Sequence, residues 1–318
     1  MSTSKTNVSL KQLKSSLLLL LAAIVWGAAF VAQSVAGDSI GTFTFNGIRF
    51  IIGGICLLPF IRKQGTKITS ISREKLLGGV LCGTALFLAS TAQQAGIAMG
   101  AEAGEAGFLT ACYIVLVPVI GIFLGRKCSG IVWIAVGITL AGLYLLCFQS
   151  FPRNGLLSMS GANLMLLLCA FLFSVQILGI DHYAPTMSPV SLACVQFFVS
   201  GVLSCLMAVF TEVITDPSGW AASLSVPSAW IPILYTGIFS SAVGYTLQAV
   251  GQRDLNPTLA SLIMSMESVF STLFGWLILG QTMTARELLG CALIFTAIIL
   301  AQVPLPQNDK KKLKGDYL

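Results

Sequence analysis

Long apolar runs separated by short polar breaks occupy most of the chain, and none of them alternates apolar and polar residues with a period of two. A helix needs roughly 20 mainly apolar residues to cross a membrane core. Runs of this kind occur at about 15–35, 41–61, 76–99, 104–124, 130–148, 160–180, 188–210, 228–250, 257–279 and 286–303. Continuous apolar runs favour helices over the strands of a barrel. The pattern therefore predicts an all-α membrane protein with ten transmembrane helices.

The second half of the chain repeats the pattern of the first. A shift of 155 residues aligns "TAQQAG" (91–96) with "TLQAVG" (246–251), and a shift of 147 aligns "VWGAAF" (25–30) with "LFSVQI" (172–177). Each copy holds five predicted spans, and an odd number makes the second copy enter the membrane upside down relative to the first. The sequence therefore predicts two inverted five-helix repeats.

The repeats divide the chain into two predicted units, residues 1–150 and residues 151–318, the second of which ends in a basic tail. With the N-terminus in the cytoplasm, fifteen Lys and Arg residues fall in inner segments, and only Arg153 and Arg286 fall in outer loops. Because Lys and Arg concentrate in cytoplasmic loops, both termini are predicted to be cytoplasmic.

Composition supports this interpretation and narrows the function. Charged residues make up 9% of the chain, hydrophobic residues 56%, and the mean hydropathy is +0.88, whereas a soluble domain has about 25% charged residues. The net charge of +6 reflects orientation and contact with anionic lipid, and it predicts no nucleic-acid partner. We expect a multi-pass protein of the cell (inner or plasma) membrane.

The sequence lacks the motifs that would indicate ATP binding or enzymatic catalysis. It contains no GxxxxGK[ST], no HExxH, and no loop long enough for a catalytic domain, so neither an enzyme nor direct ATP driving is expected. The nine cysteines and the single histidine show no ligand spacing. We therefore expect no metal, no disulfide framework and no cofactor.

Two charged residues lie near the middle of predicted spans, Arg49 in the second span and Glu267 in the ninth. Each costs about 2.5–3.5 kcal/mol at the centre of a membrane helix when it is unpaired, so each should face the protein interior. They either form a buried ion pair that only fixes helix packing, or they contribute to a functional site. Without a cationic neighbour, Glu267 is a candidate proton-coupling residue, because a low-dielectric environment disfavours the charged form.

Amides and aromatic rings also lie inside spans. Gln93 matches Gln248 between the repeats, and Gln196 occupies the position that Arg49 holds in the first half. Each amide taken alone is explained by a hydrogen bond between helices, but the matching positions favour a central polar cavity. The candidate substrate-binding residues are Trp26, Arg49, Gln93, Tyr113, Phe173, Gln176, Gln196, Tyr245, Gln248 and Glu267.

Several segments resemble the EamA-type transporters of the drug/metabolite transporter superfamily. They include "WGAAF" in the first span, "YTGIFSSAVGYTLQAVGQ" in the eighth and "SLIMSMESVFSTLFGWLILGQTMTARELLGC" in the last two. The last segment resembles the family pattern of Leu-Glu-Pro, an apolar run and Leu-Gly-Glu, with Glu267 on the first Glu of that pattern. Ser268 stands where Pro is usual, and Gln281 where the second Glu is usual. The resemblance implies ten spans, inverted repeats and transport of small organic metabolites such as amino acids, often outward.

These features lead to a functional hypothesis. We expect a secondary transporter that exports an amino acid or a similar small molecule by alternating access, because one Arg and one Glu at the same depth complement a zwitterion. The alternatives are an exporter of cationic amphiphilic compounds, with Glu267 unpaired, and a membrane scaffold or binder that transports nothing. The expected partners are the small-molecule substrate and membrane lipid, and the sequence is compatible with a monomer or a dimer.

Overall fold

The structure, a computed structural model, describes residues 3–37, 39–63, 73–126, 128–147, 160–185, 187–280 and 284–301. These residues are almost all helical, and none of them forms a strand. The α-helices are α1 Thr3–Gly37, α2 Thr42–Lys63, α3 Arg73–Ala98, α4 Ala103–Ala111, α5 Tyr113–Phe123, α6 Gly130–Cys147, α7 Gly161–Tyr183, α8 Pro189–Ala208, α9 Pro217–Ser225, α10 Trp230–Tyr235, α11 Thr246–Gln252, α12 Pro257–Met264, α13 Met266–Leu279 and α14 Ala285–Ala301. Two π-helical segments, Val209–Val213 and Thr236–Tyr245, continue α8 and α10.

In the described part of the chain, seven helical segments are long and apolar enough to cross a membrane. The number is eight if the bent pair Pro217–Ser225 and Trp230–Gln252 counts as one span. The predicted spans at 130–148 and 286–303 correspond to α6 and α14, which have 18 and 17 described residues. Both are shorter than the roughly 20 residues of a typical span. The structure therefore shows a helical multi-pass membrane protein.

Two of the spans are each built from two helices. A break at Cys112 separates α4 from α5, and a break at Ser265 separates α12 from α13. No proline causes the break at Ser265. The Ser265 hydroxyl donates to the Leu262 carbonyl at 2.7 Å, and the Ser268 hydroxyl donates to the Ser265 carbonyl at 2.6 Å. Serine hydroxyls that bond to carbonyls of the preceding turn bend helices. The helix is therefore interrupted next to Glu267 although Ser268 replaces the family's proline.

The main helix contacts join the two halves of the chain. Helix α2 packs against α8, α3 against α7, α6 against α14, and α1 against α13 and the α10–α11 region. Glycines allow some of these close approaches: a Cβ atom on Gly142 would lie 2.7 Å from the Gly290 carbonyl oxygen, and one on Gly53 would lie 2.8 Å from the Ser241 Cβ. Small residues at helix interfaces have this role in membranes. The interior of the protein is consequently formed by both halves together.

Candidate functional site

A cavity of about 40 Å³ lies between the two halves. Its walls come from α1, α2, α3, α4, α5, α7, α11, α12, α13 and the π-helical segment before α11. The lining residues are Trp26, Ala29, Phe30, Gln33, Arg49, Gln93, Thr110, Tyr113, Phe173, Ile177, Ser240, Tyr245, Gln248, Met264 and Glu267. Apolar walls with a few convergent polar groups are typical of small-molecule sites.

Eight of the ten candidate residues from the sequence line this cavity, and Gln176 and Gln196 do not. Both are fully buried behind the cavity wall. The Gln248 side-chain amide donates to Gln176 Oε1 at 3.3 Å, and the Gln176 amide donates to Gln196 Oε1 at 3.1 Å. The Gln196 amide in turn donates to the Leu192 carbonyl at 3.4 Å. The two residues therefore position Gln248 and are placed to act through it.

Seven of the lining residues were not among the candidates from the sequence, and these include Phe30, Gln33 and Ile177. Trp26, Phe30 and Gln33 follow a spacing of four and three residues, which places them on one face of α1. Ile177 occupies the position that Phe30 holds in the other repeat, under the same shift of 147 residues that relates Phe173 to Trp26. Helical spacing combined with the repeat alignment was the signal that could have identified these three residues.

Arg49 is held at the cavity wall by neutral groups. Its side chain is 3% exposed, and its Nη1 donates to Gln33 Oε1 at 3.1 Å. The guanidinium carbon lies 5.1 Å from the centroid of the Phe45 ring and 4.8 Å from that of Phe50, distances at which cation–π attraction operates. The Nε atom has no hydrogen-bond partner among the described residues. The positive charge of Arg49 is therefore oriented but not neutralised.

Glu267, the acidic residue of the cavity wall, is also buried and is 5% exposed. In the part of the chain that the structure describes, ion pairs join Lys11 to Asp254 and Arg126 to Asp181, and none joins Arg49 to Glu267. No described residue makes a hydrogen bond to Glu267 Oε1. The alternative of a buried ion pair that only fixes packing is therefore not what the structure shows.

An aromatic cluster forms the wall beside Arg49. The Trp26 indole donates to the Ser240 carbonyl at 3.2 Å, and its ring centroid lies 5.0 Å from that of Tyr245. Tyr245 packs edge-to-face on Phe197 at 5.7 Å, and Phe197 stacks on Phe50 at 5.9 Å. Such ring pairs each stabilise packing by about 0.5–1.5 kcal/mol beyond burial. The ring contacts of this cluster join α1, α2, α8 and the eighth predicted span.

The remaining amide of the wall belongs to α3. The Gln93 amide donates to Thr110 Oγ1 at 3.2 Å, and that hydroxyl contacts Cys169 Sγ at 3.8 Å. These contacts join α3, α4 and α7. Among the described residues, no group of three His, Cys, Asp or Glu side chains is arranged to hold a metal ion.

A helical multi-pass protein with a cavity between its two halves, in which a few polar groups interrupt apolar walls, has the plan of a membrane transporter. The family model of the EamA-like transporter family matches residues 13–148 and again residues 160–302. The chain belongs to the EamA-like transporter family.

Relatives agree with this assignment. An uncharacterized transporter of Archaeoglobus fulgidus is 30% identical over 92% of this chain and 87% of its own length. The uncharacterized inner membrane transporter YedA of Escherichia coli K12 is 22% identical over 87% of both chains. The WAT1-related protein At3g02690 of Arabidopsis thaliana is 26% identical over 88% of this chain and 67% of its own. The family and these names point to a transporter rather than an enzyme.

A solved crystal structure shares the fold. It matches with a TM-score of 0.73 at 19% sequence identity, over 94% of this chain and 98% of the other chain. The whole described architecture, and not one repeat alone, therefore has a counterpart of known structure.

Proposed function

We propose that this protein is a secondary transporter that exports a small amino-acid-like solute by alternating access. The observation that carries the proposal is that Arg49 and Glu267 line one cavity and are not paired with each other. An unpaired charge at membrane depth is costly. A zwitterion bound between them supplies a carboxylate to Arg49 and an ammonium group to Glu267, so both charges gain partners at once.

The strength of these contacts is adequate for selective binding. A hydrogen bond to a charged group contributes about 1.5–3 kcal/mol, and a guanidinium binds a carboxylate through two parallel bonds. The apolar part of the solute would then contact Trp26, Phe30 and Phe173 on the cavity wall. Cavity chemistry of this kind supports a small molecule that carries both charges and an apolar group.

We propose ten spans with cytoplasmic termini, and the helix contacts support their arrangement as two related repeats, residues 1–150 and 151–318. Under the repeat alignment α2 corresponds to α8 and α6 to α14, and each of these pairs is in contact. The contact of α3 with α7 corresponds to that of α1 with the α10–α11 region. The family model also matches the chain twice. The basic tail that would support the orientation lies outside the described residues.

Alternating access requires contacts that close each end of the cavity in turn. At the end where α5 and α7 terminate, Arg126 Nη1 lies 2.5 Å from Asp181 Oδ2 and joins the two halves. The repeat counterparts of these residues are Gln281, which lies outside the described residues, and Ser34. Neither counterpart carries a charge, so this ion pair favours closure at one end only. In the proposed orientation that end is cytoplasmic.

A different set of contacts joins the two halves at the opposite end of the cavity. Glu212, at the end of the span that begins with α8, accepts hydrogen bonds from the backbone N–H groups of Phe43 and Thr44 at 2.8 and 3.0 Å. A carboxylate at the first turn of α2 is favourable because helix N-termini carry unpaired N–H groups and a partial positive charge. The Trp220 indole also donates to the Thr44 hydroxyl, at 2.9 Å. Opening towards this side would require these bonds to separate.

The second candidate is export of cationic amphiphiles, and the free Oε1 of Glu267 favours it. In that case a cation binds Glu267 against the aromatic wall, and Arg49 has no direct role. Glu267 is in both cases the candidate for proton coupling, since a proton and a cationic group compete for the same carboxylate.

Uptake and counterflow in proteoliposomes test the proposal with labelled amino acids and labelled lipophilic cations. Arg49→Ala and Glu267→Gln should each abolish amino-acid transport while the protein remains folded and monodisperse. Ser204→Ala is the matched control, because Ser204 is buried, has an unpartnered hydroxyl and does not line the cavity. Cation transport that depends on Glu267 and not on Arg49 would support the second candidate. Unchanged transport in both variants would show that the site is assigned wrongly, and counterflow of no solute would favour a scaffold.

A further inference from the structure

Gln33 contacts the charged group of Arg49, although it lies 16 positions earlier in the chain and on a different helix. It is the described residue that accepts a hydrogen bond from the Arg49 guanidinium, and its amide is neutral. The backbone at Gln33 is fixed as well, because the Gln94 amide donates to the Gln33 carbonyl at 3.1 Å. Gln33 is 3% exposed and lines the cavity. Its amide is therefore held in one place beside Arg49.

The remaining contacts of Arg49 leave its N–H edge available. A guanidinium has five N–H donors in one plane. Phe45 and Phe50 lie within about 5 Å of the guanidinium carbon, and rings at that distance restrict the tilt of the plane. One donor is used by Gln33, and Nε has no described partner. An arginine held in this way lacks an anion, and a solute in the cavity can supply one.

We propose that the neutral side chain at position 33 maintains the selectivity of the cavity for solutes with a carboxylate, because it leaves the charge of Arg49 unpaired. Its amide oxygen orients the guanidinium without neutralising it, so the positive charge remains for the solute. A carboxylate at position 33 would pair with Arg49 and remove that requirement. This inference rests on the proposed function and deepens it, because it names the neutrality of position 33 as the condition under which Arg49 selects a carboxylate.

The second repeat has no equivalent arrangement. Under the shift of 147 residues, Gln33 corresponds to Ile180 and Arg49 to Gln196. Ile180 and Gln196 are buried and do not line the cavity. Carboxylate selectivity is therefore a property of the first half only, and a solute would bind in one orientation relative to the two halves.

The test uses Gln33→Glu in the full-length protein. Each of the twenty amino acids is first offered to the wild-type protein in counterflow, and the best one is compared with its decarboxylated amine and its deaminated acid. We expect Gln33→Glu to weaken binding of the amino acid and of the acid at least about tenfold, the value of one charge-assisted hydrogen bond. Binding of the amine should be unchanged or tighter, because the net charge of the cavity becomes more negative.

A second variant separates charge from shape. Gln33→Met keeps the length of the side chain and removes the acceptor without adding charge. It should weaken amino-acid binding by only a few-fold and preserve the preference for solutes with a carboxylate, since Arg49 remains unpaired. Loss of that preference in Gln33→Met would overturn the proposal, and so would wild-type affinity for the amino acid in Gln33→Glu. If no amino acid produces counterflow with the wild-type protein, the proposed function itself is wrong.

Discussion

Removal of the Arg126–Asp181 ion pair should open one end of the cavity. The pair lies 2.5 Å apart, and its side chains are 33% and 17% exposed. Fully exposed pairs contribute about 0.2–1 kcal/mol, whereas loss of one partner from a fully buried pair costs about 3–5 kcal/mol. Because solvent partly screens this half-buried pair, its contribution falls between those two ranges, at about 1–2 kcal/mol. Asp181→Asn should therefore change the ratio of open to closed molecules by about 5–30-fold.

Labelling of a cavity residue from one side measures that ratio without the need for a substrate. Ser240→Cys provides a thiol on the cavity wall, in a background from which the native cysteines are removed. A membrane-impermeant maleimide is applied to inside-out vesicles. Asp181→Asn should raise the labelling rate by up to the same 5–30-fold, and the charge swap Arg126→Asp with Asp181→Arg should restore the slow rate.

The second ion pair serves as the matched control. Lys11 lies within α1 and Asp254 follows the end of α11, and their side chains are 67% and 29% exposed. Asp254→Asn should accordingly leave the labelling rate within about twofold, since such pairs contribute little. Equal rates in the wild-type protein and in Asp181→Asn would refute the gating role of the ion pair. Fast labelling of the wild-type protein would refute closure at that end.

Two further predictions concern packing. A Cβ atom on Gly27 would lie 2.8 Å from the Ser271 backbone nitrogen, so Gly27→Ala should lower the free energy of unfolding by about 1–3 kcal/mol. Gly137→Ala, where nothing lies within 4 Å, should leave it unchanged or raise it by up to about 1 kcal/mol; thermal unfolding in detergent compares the two. Gln176→Leu removes the hydrogen-bond acceptor of the Gln248 amide. It should weaken substrate binding by a few-fold, measured by counterflow. It should also lower the free energy of unfolding by about 0.6–2 kcal/mol, measured by thermal unfolding. Wild-type substrate affinity in Gln176→Leu would contradict the positioning role.

The helices were predictable because their cause is local. Each predicted span corresponds to a described helix or to a pair of helices in sequence, since a polypeptide in a membrane satisfies its backbone groups within the helix. The break at Ser265 was not predictable in the same way. It depends on serine hydroxyls that compete for backbone carbonyls, and the same residues occur in unbroken helices.

The candidate site was only partly predictable. Burial cost alone indicates that Arg49 and Glu267 face the interior, and both line the cavity. The sequence could not separate Gln248, which lines the cavity, from Gln176, which lies behind it. Both of these spans are apolar on most faces, so periodicity does not distinguish a residue on the cavity wall from one at a helix interface.

What the sequence by itself determined is the class of protein: apolar length requires membrane helices, and the matching halves require a repeated unit. Tertiary structure alone decided that Arg49 bonds to Gln33 and not to Glu267. The physical reason is distance. A polar side chain reaches only a few ångströms, so its partner depends on how closely, and at what angle, helices from different parts of the chain approach each other. Close packing at small residues and aromatic rings sets that distance and angle.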